Sequence, residues 1–117
     1  MKIDLEIYQL KLIEEVLSEK NAVGKGVTKL PDGREFPYEF DEREEYKRLR
    51  NLITLKDKPI LYAEIDDIHD IVFNLQRMEV NLVVATNTPA IRNESFEKLQ
   101  LVCKTIDYLD SFVEYVE

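Results

Sequence analysis

Several residue types are scarce in this chain of 117 residues, and each scarcity excludes something. Tryptophan is absent and histidine occurs once, as His69. The single cysteine, Cys103, cannot form an internal disulfide, and one Cys with one His cannot build a structural zinc site. No apolar run approaches the roughly 18–20 residues that a membrane helix needs. The opening Met1-Lys2-Ile3-Asp4-Leu5-Glu6 carries acids where a secretory signal would be apolar, so the expectation is a cytoplasmic protein without a membrane segment. On that expectation the sequon Asn93-Glu94-Ser95 is accidental, and Cys103, beside Val102 on an apolar helix, is a buried inert thiol. Only three glycines occur, at 24, 26 and 33, and they make neither the Walker frame nor the dinucleotide fingerprint. Gly24-Lys25-Gly26 therefore reads as a flexible turn.

What is abundant is charge. Charged residues make up 34% of the chain and hydrophobic ones 44%, a balance that suits one soluble globular domain and excludes wholesale disorder. The net charge of −8 is uneven. Residues 1–58 hold 13 acids and 12 bases, whereas residues 59–117 hold 11 acids and 4 bases. A surface of that sign repels nucleic-acid phosphates and attracts basic partners.

The apolar pattern predicts a mostly α fold with a small β part (α+β). Its spine is an antiparallel helical hairpin over 59–117, packed with two further helices and one β-hairpin. Leu99, Val102, Ile106, Leu109, Val113 and Val116 follow the three–four spacing of a helical seam, as do Ile65, Ile68, Val72 and Leu75. Glu79 interrupts the second seam, Leu82 resumes it, and the β-branched run Val80–Ala85 reads equally as helix or strand. Asn87-Thr88-Pro89 is a stop and restart. Upstream, Asp4 caps a helix running to about Lys20 (1–21), although Ile3, Leu5 and Ile7 alternate as a strand would. Pro31-Asp32-Gly33 turns a β-hairpin within 22–40. Phe36, Tyr38 and Phe40 alternate onto one face, expected to pack over the helices, and Pro37 marks an edge strand. A helix over 41–55 starts at Asp41 with Glu44 in support, buries Tyr46, Leu49 and Ile53, and shows a basic stripe of Arg43, Lys47 and Arg50. Lys56-Asp57-Lys58 is a linker, and Pro59 opens the long helix.

Two acidic pairs stand out, Glu42-x-x-Glu45 and Glu64-x-x-Asp67. Acids three apart share a helix face, so two such pairs on adjacent helices can converge on Mg²⁺ or Mn²⁺. With Glu64-Ile65-Asp66-Asp67-Ile68-His69-Asp70-Ile71-Val72, the stretch 41–75 resembles the all-α nucleoside triphosphate pyrophosphohydrolases of the MazG and dimeric dUTPase type. That resemblance implies a metal-dependent pyrophosphohydrolase with Glu42, Glu45, Glu64 and Asp67 as ligands. The family carries its first pair inside a longer helix and has no hairpin just before it, which are departures. His69, with Asp66 and Asp70 near it, reads as a solvated residue, because no nucleophile accompanies it.

The leading functional expectation is a non-enzymatic interaction module with no cofactor: a regulator, inhibitor or assembly factor of the kind that phages and mobile elements often encode. Its binding face is the acidic helical hairpin, through Asp66, Asp67, Asp70, Asp107, Asp110 and Glu114, and its partner is a protein with a basic surface. Direct nucleic-acid binding is not expected. A homodimer formed by exposed seam residues is a further expectation.

Overall fold

The computed structural model describes residues 1–114, so Val116 lies outside the described residues, as does the side chain of Glu114. The architecture is the expected α+β one, with a helical spine and, among the described residues, two small antiparallel sheets. The spine is α4 (Ile65–Ala85) packed against α5 (Arg92–Glu114), joined through a 3-10 turn at Pro89–Ile91. Ile68, Ile71, Val72 and Leu75 of α4 and Val102, Ile106 and Leu109 of α5 are buried, so the three–four spacing made the contact it predicts. Residues 80–85 are helical. Glu79 is half-buried and accepts a hydrogen bond from the Cys103 thiol at 3.7 Å.

The first departure lies at the start of the chain. Lys2–Asp4 form strand β1, and helix α1 covers Ile7–Val16. Asp4 is thus the last strand residue and not a helix cap. The alternation of Ile3 and Leu5 wins because both side chains are buried in the core. Glu6 precedes α1, and its N–H donates to the Gln9 side chain at 2.8 Å. Instead of running to Lys20, α1 ends at Val16, and a short helix α2 (Glu19–Ala22) follows.

The second departure lies between residues 50 and 64. Helix α3 covers only Arg43–Arg50, and Ile53 falls in strand β4 (Ile53–Leu55). Pro59 opens strand β5 (Pro59–Tyr62), not the long helix. Lys56-Asp57-Lys58 is the connection that folds β5 back on β4. These strands form one sheet in the order β1–β5–β4, with Leu61 paired to Ile3 on one side and to Ile53 on the other. Pro59 suits its place because its carbonyl accepts from the Leu5 N–H at 3.0 Å while no N–H is asked of it. Glu64 caps α4, its N–H donating to Asp67 at 2.9 Å.

The hairpin turns at Pro31-Asp32-Gly33 as expected, with Gly33 at φ +89°, where a side chain would be strained. Its strands are β2 (Val23–Lys29) and β3 (Glu35–Asp41). Gly24 and Gly26 are therefore strand residues, not a flexible turn. They stand opposite Phe40 and Tyr38 in register, and those rings lie across them. A Cβ on Gly24 would come within 2.5 Å of Phe40 Cζ, and one on Gly26 would overlap the Tyr38 ring. On the other hairpin face Lys25–Glu39 and Lys29–Glu35 pair at 3.3 and 3.8 Å.

The aromatic row does share one face, but it does not enter the core. Phe36 and Tyr38 are 51% and 49% exposed. The predicted packing of this row over the helices is thus corrected, since the hairpin meets the body mainly through its base at Ala22 and Glu42, where the Glu42 N–H donates to the Ala22 carbonyl at 2.6 Å.

Leu75 is fully buried at the centre of the α4 seam. Leu75→Ala is expected to cost about 2–5 kcal/mol, through lost burial and the cavity left behind. A lowered urea midpoint with unchanged helical circular dichroism in buffer is the expected reading.

Candidate functional site

A cleft lies where the base of the hairpin meets α3 and α4. It has a volume of ≈ 650 Å³. Tyr38 and Phe40 of β3 and Phe73 of α4 give it aromatic walls; Glu42, Glu45 and Asp70 supply carboxylates; Asn74 and Tyr46 lie at its floor. The buried Tyr46 hydroxyl donates to Asn74 Oδ1 at 2.6 Å, while the Asn74 amide donates to the Asp70 carbonyl at 2.9 Å. That pair locks α3 to α4 beneath the cleft. One cation is already present: the Arg77 guanidinium stands over the Phe40 ring, 6.0 Å from its centroid.

One side of the cleft is organised by Arg48. Its guanidinium bonds Glu45 on its own helix at 2.5 Å and reaches Asp67 on α4 at 2.9 Å. Arg48 holds the Glu45 carboxyl below the ordinary range. Burial pushes the Asp67 carboxyl up, but the Glu64 N–H and the Arg48 guanidinium outweigh it, and the net shift is downward. Asp70 goes the other way. Burial and then the negative Glu45 raise its carboxyl above the ordinary range.

These contacts fix where the sequence-predicted residues stand. Of the four proposed metal ligands, Glu45 and Asp67 are brought together, by a guanidinium. Glu64 serves as the residue that caps α4, and Glu42 lines the cleft. Among the described residues no group of three or more His, Cys, Asp or Glu is placed to hold a metal ion. Of the acidic binding face, Asp66, Asp70 and Asp107 are exposed and Asp110 is half-buried. Asp67 is only 8% exposed and is engaged inside the fold. The Glu114 side chain lies outside the described residues.

The basic stripe is likewise used locally. Arg43 pairs with Asp41 at 2.7 Å, and Arg50 donates to the Leu17 carbonyl. Cys103 is half-buried, and burial and then Glu79 push its thiol up, away from the reactive thiolate. Sequence reasoning missed Arg48, Phe73, Asn74 and Arg77. Phe73 and Arg77 carried one signal, since they are four apart and off the inner seam.

The chain matches no protein-family model, no curated protein and no solved structure. The resemblance of residues 41–75 to the pyrophosphohydrolases therefore rests on those acids alone.

Replacing Arg48 by Met leaves the mostly buried Asp67 without its cation. Because the guanidinium is itself half-exposed, the expected cost at neutral pH is about 1–2 kcal/mol. An aspartate whose folded value is depressed contributes stability above its unfolded value of 3.8, and that contribution is lost as pH falls through the folded value. The gap between wild type and Arg48→Met in urea unfolding should therefore be widest near neutrality and shrink as pH falls below 3.8.

Proposed function

We propose that this protein is a non-enzymatic interaction module that grips an arginine- or lysine-bearing segment of a partner protein, and that the grip is the cleft between β3, α3 and α4. The observation that carries this reading is the Arg77 guanidinium seated on Phe40 inside a carboxylate-lined cleft. It is an internal example of the contact a partner's arginine would make. Ring faces attract a cation by about 0.5–1 kcal/mol at an exposed site and by more once water is excluded. Tyr38 and Phe73 offer further rings, and Glu42 and Asp70 offer charge. The raised Asp70 carboxyl fits the same reading, since an incoming cation relieves the repulsion from Glu45. A phosphate-rich partner would meet three carboxylates, which disfavours nucleic acid. In the cell such a grip would make the protein a regulator, inhibitor or assembly factor.

This reading moves the binding face expected from sequence. Asp70 stays at its centre, and Glu42 and Glu45 join it, whereas Asp107 and Asp110 lie outside the cleft lining.

The test is a fluorescence-anisotropy titration with a labelled peptide of alternating Arg and Gly, at low salt. Tyr38→Ser and Asp70→Asn are each expected to weaken binding about tenfold, while Asp107→Asn leaves it unchanged. Binding should also fall on acidification at a pH above that of an ordinary aspartate, as Asp70 takes up its proton. Equal losses from Asp107→Asn would return the site to the helical hairpin. No saturable binding by wild type would end the proposal.

A further inference from the structure

Helix α4 carries a second apolar seam, on the face turned away from α5. Phe73, Arg77, Val80 and Val84 are spaced four, three and four apart, the rhythm of a coiled-coil contact line. Their apolar members are open to solvent: Phe73 is 60%, Val80 62% and Val84 65% exposed, with Val83 exposed beside them. Beyond Leu75 no residue of α4 is buried. In the single chain the three valines give up helix propensity, as β-branched residues do, and gain no burial in return.

Along α4 this face carries no carboxylate from Phe73 onward, although Glu42, Glu45 and Asp70 border its Phe73 end across the cleft. From Phe73 to Ile91 the chain has one acid, Glu79, and that side chain is turned toward Cys103 on α5. In a molecule of net charge −8, a seam without acids between Phe73 and Val84, Glu79 apart, keeps the carboxylates of two copies away from each other, and in an antiparallel pair the cleft acids beside Phe73 face the acid-free Val84 end of the other copy. The spacing four–three–four also reads the same in both directions. An antiparallel second copy of α4 would thus find its own seam in register, the large Phe73 facing the small Val84 and Arg77 facing Val80 across a two-fold axis. Self-complementarity of this kind is what an isologous dimer requires. The Arg77 stem can cover Val80 while its guanidinium stays on Phe40.

We infer that the outward seam of α4, from Phe73 to Val84, is the contact face of an antiparallel homodimer of this chain. The seam spans about three helical turns, roughly 16 Å, so the interface is small and the dimer is concentration-dependent. This inference stands apart from the cleft reading, although Phe73 and Arg77 belong to both surfaces.

Sedimentation equilibrium of the full chain, with no peptide present, tests it over about 5–500 µM, a range suited to a small interface. Wild type is expected to shift from the 13.8 kDa chain mass toward twice that mass. The double variant Val80→Glu/Val84→Glu is expected to stay monomeric at every concentration with unchanged helical circular dichroism. Leu55→Ser, which alters an equally exposed residue at the far sheet, should dimerise like wild type. A wild type that is monomeric throughout overturns the inference. So does a dimer that survives the double glutamate variant, or one that Leu55→Ser disrupts to the same degree. Should the double variant lose its circular dichroism, Val80→Ser/Val84→Ser supplies the same reading without placing charge on the helix.

Discussion

Ile68, Ile71, Val72 and Leu75 are buried, and their burial fixes more than the position of α4. It fixes the helix's rotation about its own axis. A helix with one face set in this way has no choice about what the opposite face presents. Phe73 and Arg77 must point outward, and Asp67 and Asn74 must turn toward α3. Both the floor of the cleft and the outer seam follow from that single orientation. Each buried aliphatic side chain contributes on the order of 1.5–3 kcal/mol, so the orientation is held by far more free energy than any surface contact it sets up.

The polar contacts across α3 and α4 work on that fixed frame. Arg48 and Tyr46 leave the same helix three residues or fewer apart and engage Asp67 and Asn74. One contact is ionic and half in solvent, and the other is neutral and buried. Together they determine which carboxylates are satisfied at home and which face outward. Glu45 and Asp67 fall in the first group and Asp70 in the second, which is why two aspartates three residues apart shift in opposite directions.

The helical hairpin was legible in the sequence because a three–four apolar rhythm sustained over several turns has few other solutions. The Pro31-Asp32-Gly33 turn was legible because its chemistry is local. The sheet β1–β5–β4 was legible only at its first strand, where Ile3, Leu5 and Ile7 alternate and compete with a helix, since β4 has just three residues, too few for alternation to declare itself. Pro59 misled for a related reason, as the first residue of a strand and the first of a helix both tolerate a missing N–H. Alternation did place Phe36, Tyr38 and Phe40 on one face, but it is silent on what that face meets. The glycines at 24 and 26 gained meaning only from register, because the rings they seat lie on the other strand. Of the candidate site, the carboxylates were visible one by one. Their division by Arg48 was not, because Arg48 and Asp67 are far apart in sequence and an arginine amid acids carries no local mark of its partner.

The free-standing hairpin has two open sides, and its register decides what each exposes. The bonds from Leu30 N–H to Arg34 and from Glu42 N–H to Ala22 set the pairs that exchange hydrogen bonds. By alternation Val27 and Pro37 form a pair that does not. Pro37 therefore withholds its N–H from the outer rim of β3, where no partner within the hairpin needed it. A passing strand that tried to zip onto that rim would find a donor missing at its middle. The rim of β2 keeps its donors, but Lys25 and Lys29 sit along it, so accretion there would crowd charge. Both rims of this lone ribbon thus carry features that oppose edge-to-edge pairing.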